Sequence, residues 1–199
     1  LANRRLLLVG SDMAVGKMTA GLEIWKSARA RGIQAEFLAT GQIGIVLSGG
    51  GIALDAIRVD YAGGAVEKMV LDAAAAELVI VEGQGSLLHP GSTSTLPLLR
   101  GACPTHLILC HRAGMTELDT VGVTVKVPPL NEIIALYEDV ASACGIYPRP
   151  VTVGIALNTA HLNDDQAHRA ISETADTTGR LVLDPVRQGC DQWVDALMA

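Results

Sequence analysis

Short apolar runs of strand length alternate along the chain with stretches whose apolar positions recur at helical spacing. The runs are Arg5–Val9, Ala35–Ala39, Leu78–Val81, His106–Cys110, Val151–Leu157 and Leu181–Leu183. Between most of them the pattern predicts helices over Met18–Arg31, Ala65–Ala76, Asn131–Ala143, Asp164–Thr177 and Asp191–Met198, the fourth opened by Asn163 as an N-cap. Continuous apolar strands interleaved with amphipathic helices predict an α/β fold of three layers (α/β/α), a mainly parallel sheet with helices on both faces and right-handed crossovers. Thr40–Gly64 breaks the rhythm. It is glycine-rich, carries Gly49-Gly50-Gly51, and shows no long helical pattern. Such a stretch reads as a loop system beside a ligand site, although a plain surface connection has the same composition.

Composition narrows the picture. With 199 residues, 49% of them hydrophobic and 18% charged, the chain has the material for one well-buried domain over residues 1–199. A formal net charge of -6 argues against nucleic acid and against anionic membrane surfaces as partners. With no apolar run of membrane-spanning length and no signal pattern, a soluble, cytoplasmic protein is expected. Cys103, Cys110, Cys144 and Cys190 are scattered, without metal-ligand spacing, and read as core thiols. The chain opens Leu1-Ala2-Asn3 almost directly into its first strand, as a piece of a longer polypeptide would.

The chemistry begins at Gly10-Ser11-Asp12-Met13-Ala14-Val15-Gly16-Lys17-Met18-Thr19, which follows an apolar strand and precedes a helix. A glycine-bearing turn there aims backbone N–H groups and a helix N-terminus at an anion, and Lys17 adds a point charge; the ligand should carry a pyrophosphate or triphosphate. The common loop has four residues before Gly-Lys and a hydroxyl directly after it. Here five residues separate Gly10 from Gly16, Met18 follows Lys17, and Thr19 is one place late. One step along a helix turns a side chain by about 100°, which changes how Thr19 could meet Mg²⁺. A strand–turn–helix connection with an incidental lysine is the bland alternative.

In a parallel sheet covered on both faces, ligands sit beyond the carboxyl ends of the strands, and the residues there are polar. Glu82-Gly83-Gln84-Gly85-Ser86 follows the third run, His111-Arg112 the fourth, and Asn158-Thr159 the fifth. Glu82 is a candidate base or Mg²⁺ ligand, against a turn-capping carboxylate. His89 and His111 are candidate bases, against structural histidines satisfied by neighbouring backbone. Asn158 offers an amide to an adenine edge, against a turn-forming role. Arg112 suits a substrate carboxylate, against a surface ion pair.

Two family resemblances rest on these residues. The loop, Glu82-Gly83-Gln84-Gly85 and Asn158 are similar to the dethiobiotin synthetase-like P-loop proteins, which implies ATP phosphates on the loop, Mg²⁺ at Glu82 and Thr19, and adenine near Asn158. Met18, in place of a threonine, and the lack of a lysine in Phe37-Leu38-Ala39-Thr40-Gly41 depart from that group. The chain more closely resembles the C-terminal P-loop domain of the DgcN-type, D-glutamate N-acetyltransferase-like family. That resemblance lies in residues 9–20, Ala39-Thr40-Gly41-Gln42-Ile43-Gly44, Asp60-Tyr61-Ala62-Gly63-Gly64-Ala65-Val66-Glu67, Glu82–Pro90 and Leu109-Cys110-His111. It implies an acyltransferase moving acetyl from acetyl-CoA to the amine of D-glutamate or a related D-amino acid, beside an N-terminal Rossmann-like domain that family members usually carry. In that reading Ser11 to Thr19 and Asn158 hold the coenzyme, Glu82, His89 or His111 takes the proton, and Gln42, Ser86 and Arg112 face the substrate. An ATP/Mg-dependent ligase and a non-catalytic nucleotide-binding regulatory module are the alternatives. A homo-oligomer is compatible with all three.

Overall fold

The computed structural model describes residues 1–199. Six parallel strands form one sheet: β1 (Arg4–Gly10), β2 (Ala35–Leu38), β3 (Leu78–Val81), β4 (His106–Arg112), β5 (Val151–Asn158) and β6 (Val182–Leu183), in the spatial order β2-β3-β1-β4-β5-β6. Seven helices cover it: α1 (Lys17–Ala30), α2 (Gln42–Ser48), α3 (Val59–Asp72), α4 (Thr95–Ala102), α5 (Leu130–Ser142), α6 (Asp164–Thr178) and α7 (Asp191–Met198). The three-layer α/β/α expectation is met. No helix is long and apolar enough to cross a membrane.

Strand alternation divides the core in two. Leu6 and Leu8 point to the face covered by α1 and α7, where they meet Ile24, Trp193 and Leu197. Leu7 and Val9 point to the opposite face, where Val66, Leu98, Leu99 and Ile133 of α3, α4 and α5 cover them. Because both faces are buried, the central strands are apolar at nearly every position, which made them legible as continuous runs. Asn163 caps α6 as expected, with Gln166 completing a reciprocal capping box.

The Thr40–Gly64 reading needs correction. That segment holds α2, a single 3₁₀ turn at Leu54–Ala56, and the start of α3 at Val59, well before the expected Ala65. Glycine misled because Gly41, Gly44 and Gly51 serve close packing here, while Gly49 and Gly50 lie in the open. A Cβ on Gly44 would lie 2.3 Å from a Glu82 carboxylate oxygen, so α2 settles on that acid only through glycine. Helix α4, not anticipated at all, contains Pro97 and Gly101, which hide a helical pattern. Pro97 lies in the first turn, where its missing N–H costs nothing, and a Cβ on Gly101 would meet the Gly63 carbonyl oxygen at 2.3 Å. The two helices therefore cross backbone to backbone. Helix α3 also ends at Asp72, four residues before the expected Ala76, and the remaining boundaries shift by no more than two residues.

Candidate functional site

The carboxyl end of β1 hands the chain to a tight loop. Ala14 (φ 53°) and Gly16 (φ 106°) take left-handed conformations that turn it into α1. Val15 is buried in the α1-side core and pegs the loop down, while Met13, Ala14 and Thr19 face solvent. No side chain caps α1 and no acid lies in its first turn, so its leading N–H groups are unclaimed donors with the positive end of the helix dipole behind them.

Lys17 is buried beneath this loop, its Nζ donating to the Asp12 carbonyl at 2.8 Å. Burial pushes its pKa down, opposed by Cys110, Asp12 and Glu82. Burial likewise pushes the neighbouring Cys110 thiol up to about 12. Asp12 turns its carboxylate to the protein: Oδ1 accepts from Met13 N at 2.7 Å and Oδ2 from Asp119 N at 2.8 Å. A carboxylate in a phosphate loop is tolerable when its charge is spent on backbone donors.

Across the loop lies Glu82, 3% exposed, at the end of β3. Its Oε2 accepts from Thr40 N at 2.8 Å and Gly41 N at 3.0 Å, while the Thr40 hydroxyl donates to the Glu82 carbonyl at 2.7 Å. Burial raises the Glu82 pKa, and the Thr40 and Gly41 N–H groups, Gln84 and Lys17 restrain the rise. The neighbouring Gly83 admits no side chain, since a Cβ there would lie 1.7 Å from the Leu8 carbonyl oxygen. Between Met13–Thr19 and Glu82–Gly85 opens a cleft of about 340 Å³.

A second cleft of about 290 Å³ opens on the other side of Gly16 and Thr19. Val15, Ala20, Ala156 and Pro185 make it apolar, and Asn158 and Arg187 stand in its wall. The Asn158 Oδ1 accepts from Ala160 N at 3.1 Å, and a Cβ on Gly16 would lie 3.6 Å from Asn158 Nδ2. The wall is shaped by buried Asp184: Oδ2 accepts from Thr159 N at 3.1 Å and from its hydroxyl, and Oδ1 from Val186 N at 2.9 Å and Arg187 N at 3.2 Å. Sequence reasoning missed Asp184–Arg187, although an acid directly after the Leu181–Leu183 run carried the same signal as Glu82. A larger depression, about 700 Å³ beside Gln34–Glu36 and α3, lies away from these residues.

The other expected site residues are scattered around the two clefts. His111 is buried, its Nδ1 2.8 Å from Ser11 Oγ, and burial together with Arg112 lowers its pKa to about 4. Both ring nitrogens of His89 are engaged: Nδ1 accepts from Gly91 N at 3.1 Å, and Nε2 donates to the Asp119 carbonyl at 3.0 Å. Asp119 is thus held from both sides, by Asp12 and by His89, and ties the β4–α5 connection to the phosphate loop. Ser86 is buried and accepts from Leu88 N at 3.1 Å, so it shapes the 82–90 turn. Gln42 is exposed at the start of α2, its amide donating to Asp55 at 2.9 Å. Arg112 is exposed at the end of β4. Tyr137, also missed, donates to the Gly10 carbonyl at 2.7 Å and accepts from Leu87 N at 3.0 Å, locking the phosphate loop's entry to the Glu82 loop.

Comparison with known proteins agrees with this architecture. A family model described as a domain of unknown function, the DUF1611 C-terminal P-loop domain, matches residues 1–194. A Pseudoalteromonas protein named D-glutamate N-acetyltransferase is 36% identical over 96% of this chain, and the match spans 57% of that relative's length. The crystal structure of a DUF1611 family protein from Anabaena variabilis superposes with a TM-score of 0.95 at 52% identity, covering 100% of this chain and 58% of that one. Cobyrinic acid a,c-diamide synthase from Mycobacterium smegmatis, solved with an ATP analogue and magnesium, shares the fold alone: TM-score 0.52 at 13% identity, over 87% of this chain and 82% of that one.

Proposed function

We propose, from the premise that this chain belongs to the DUF1611 P-loop domain family, that it carries the coenzyme site of an N-acetyltransferase acting on D-glutamate or a related D-amino acid. The observation that carries this reading is the pair of clefts meeting at Gly16 and Thr19. One offers unclaimed N–H donors and Lys17 to a pyrophosphate; the other offers apolar walls and the Asn158 amide to an adenine. Acetyl-CoA has both groups.

In this mechanism the acceptor's ammonium first loses a proton. The amine lone pair then attacks the thioester carbonyl carbon, backbone donors stabilise the oxyanion, the C–S bond breaks, and the thiolate of CoA leaves and is protonated. Glu82 is the base this geometry favours. Its carboxylate is buried yet borders the phosphate cleft, its Oε2 is spent on Thr40 and Gly41, and desolvation makes it more basic than an ordinary carboxylate. His111 is a weak base at a pKa of about 4. His89 has no ring nitrogen to spare, so we assign it to positioning.

Release of CoA thiol from acetyl-CoA, monitored with and without D-glutamate, tests the proposal; D-glutamate-dependent release is expected. A second reading, an ATP-dependent ligase, is favoured by Thr19 and Glu82 lining the same cleft. Those two residues would hold Mg²⁺, which would neutralise the nucleotide's phosphates. D-glutamate-dependent ADP formation without thiol release would support that reading instead.

A further inference from the structure

Past β3 the chain sends its side chains two ways. Gly83 faces β1, where a Cβ would run into the Leu8 carbonyl oxygen, while Glu82 and Gln84 face the turn between β2 and α2. Glycines receive them both. A Cβ on Gly44 would run into Glu82 Oε2, and a Cβ on Gly41 would lie 2.7 Å from Gln84 Nε2 and 3.4 Å from Glu82 Oε1. The Gln84 amide and the second oxygen of Glu82 therefore rest against the same point of the main chain. The turn that carries Gln84 is itself fixed: the Thr95 hydroxyl donates to the Gln84 carbonyl at 2.9 Å, and Gly85, at φ 65°, leaves room for the Ser92 hydroxyl.

The two oxygens of Glu82 are held unequally. The backbone N–H groups of Thr40 and Gly41 both donate to Oε2, and neither donates to Oε1. Helix α2 carries no charged side chain, and the Lys17 ammonium donates to the Asp12 carbonyl. That leaves the Gln84 amide, which acts on Glu82 as a side-chain hydrogen-bond donor. An ionised carboxylate accepts and does not donate, so the NH2 end of the amide faces it. Each carboxylate oxygen has two lone pairs, and Oε1 can meet Gln84 and still take a proton from a substrate. Glu82 and Gln84 line the phosphate cleft together.

We propose that Gln84 is a positioning residue: its amide donates to Glu82 Oε1 and keeps that oxygen aimed into the phosphate cleft, where the acceptor's ammonium gives up its proton. The proton passes from the ammonium nitrogen to Oε1, the lone pair stays on nitrogen, and the Gln84 amide is unchanged at the end. This deepens the transferase reading of the cleft and rests on it.

The test compares the protein with Gln84→Met, which keeps the length and loses the donor, and with Gln84→Glu, which keeps the shape and replaces the donor by a second acceptor. Each variant is first checked for an unchanged melting temperature. In both, kcat for D-glutamate-dependent thiol release should fall by about 10- to 100-fold, the worth of one hydrogen bond to a charged group, with KM for acetyl-CoA and calorimetric affinity for CoA unchanged. In Glu82→Gln, where no base is left to orient, adding Gln84→Met should change kcat by less than about twofold. A crystal structure of Gln84→Met should show Oε2 still on the Thr40 and Gly41 N–H groups and Oε1 turned away from the cleft. An unchanged kcat, an equal loss in the Glu82→Gln background, or an unmoved Oε1 overturns the inference. A raised KM for D-glutamate at unchanged kcat overturns it too, and makes Gln84 a contact of the acceptor. If the unaltered protein releases no thiol with D-glutamate, the transferase reading falls, and the position of Oε1 in the variant still decides whether Gln84 holds it.

Discussion

On one side of Gly16 the phosphate cleft is made of consecutive main chain, residues 13–19 faced by residues 82–85; on the other, the apolar cleft is assembled from separate loops gathered around one buried acid, Asp184. The first draws most of its donors from peptide groups and depends on few side chains, chiefly Lys17 and Glu82. The second takes its shape from Asp184, which holds Thr159, Val186 and Arg187 in place beside the Asn158 amide. Removing a side chain should therefore change chemistry on the phosphate side and shape on the apolar side.

The largest expected effect is on turnover. Glu82→Gln keeps an acceptor for Thr40 and Gly41 but no longer takes a proton, so kcat should fall by about 10²- to 10⁴-fold with coenzyme affinity little changed; steady-state kinetics beside calorimetry separate the two. A similar loss of affinity would mean that Glu82 shapes the cleft rather than acting in it.

On the apolar side, Asp184→Ala strands several buried N–H groups and should cost about 3 kcal/mol, lowering the melting temperature by roughly 6–12 °C. Adenosine-containing ligands should weaken in parallel while inorganic pyrophosphate binding is kept. An unshifted melting temperature would remove the contrast between the clefts.

Lys17→Ala should leave the fold intact and weaken CoA and ATP alike by about 10- to 100-fold, the worth of one charge-assisted contact. Calorimetry reads this directly. Loss of folding instead would make the buried ammonium a structural group.

The remaining effect is confined to acid pH. His111 in the folded protein protonates near 4 rather than at the ordinary 6.5, so the unfolded chain takes the proton first as pH falls. The contribution is complete above pH 6.5 and is lost on the way down to about 4, at up to ~1.4 kcal/mol per pH unit. Denaturant unfolding across that window should show a shallower pH slope in His111→Asn; an identical slope would mean that other groups set the acid limit.

The contrast between the clefts also explains what the sequence disclosed. Ser11–Thr19 is contiguous and bounded by a strand and a helix, so its spacing disclosed the loop. Asn158 and Glu82 were legible because both end apolar runs. Asp184 ends one as well, but β6 has only two residues, too short a run to draw attention to its end. Tyr137 was invisible because its hydroxyl meets Gly10 and Leu87, far away in sequence, while its ring sits at an ordinary buried helical position. Gly44 and Gly101 hid α2 and α4 because tight packing and flexibility select the same residue.

The central claim is that coenzyme A spans both clefts with its pyrophosphate on the main chain of the phosphate loop. A crystal structure with coenzyme A bound tests it most directly. The account predicts pyrophosphate oxygens within hydrogen-bond distance of the N–H groups of Gly16 to Thr19 and of Lys17 Nζ, with adenine beside Asn158. Coenzyme A bound elsewhere on the protein, with the phosphate loop untouched, would contradict it.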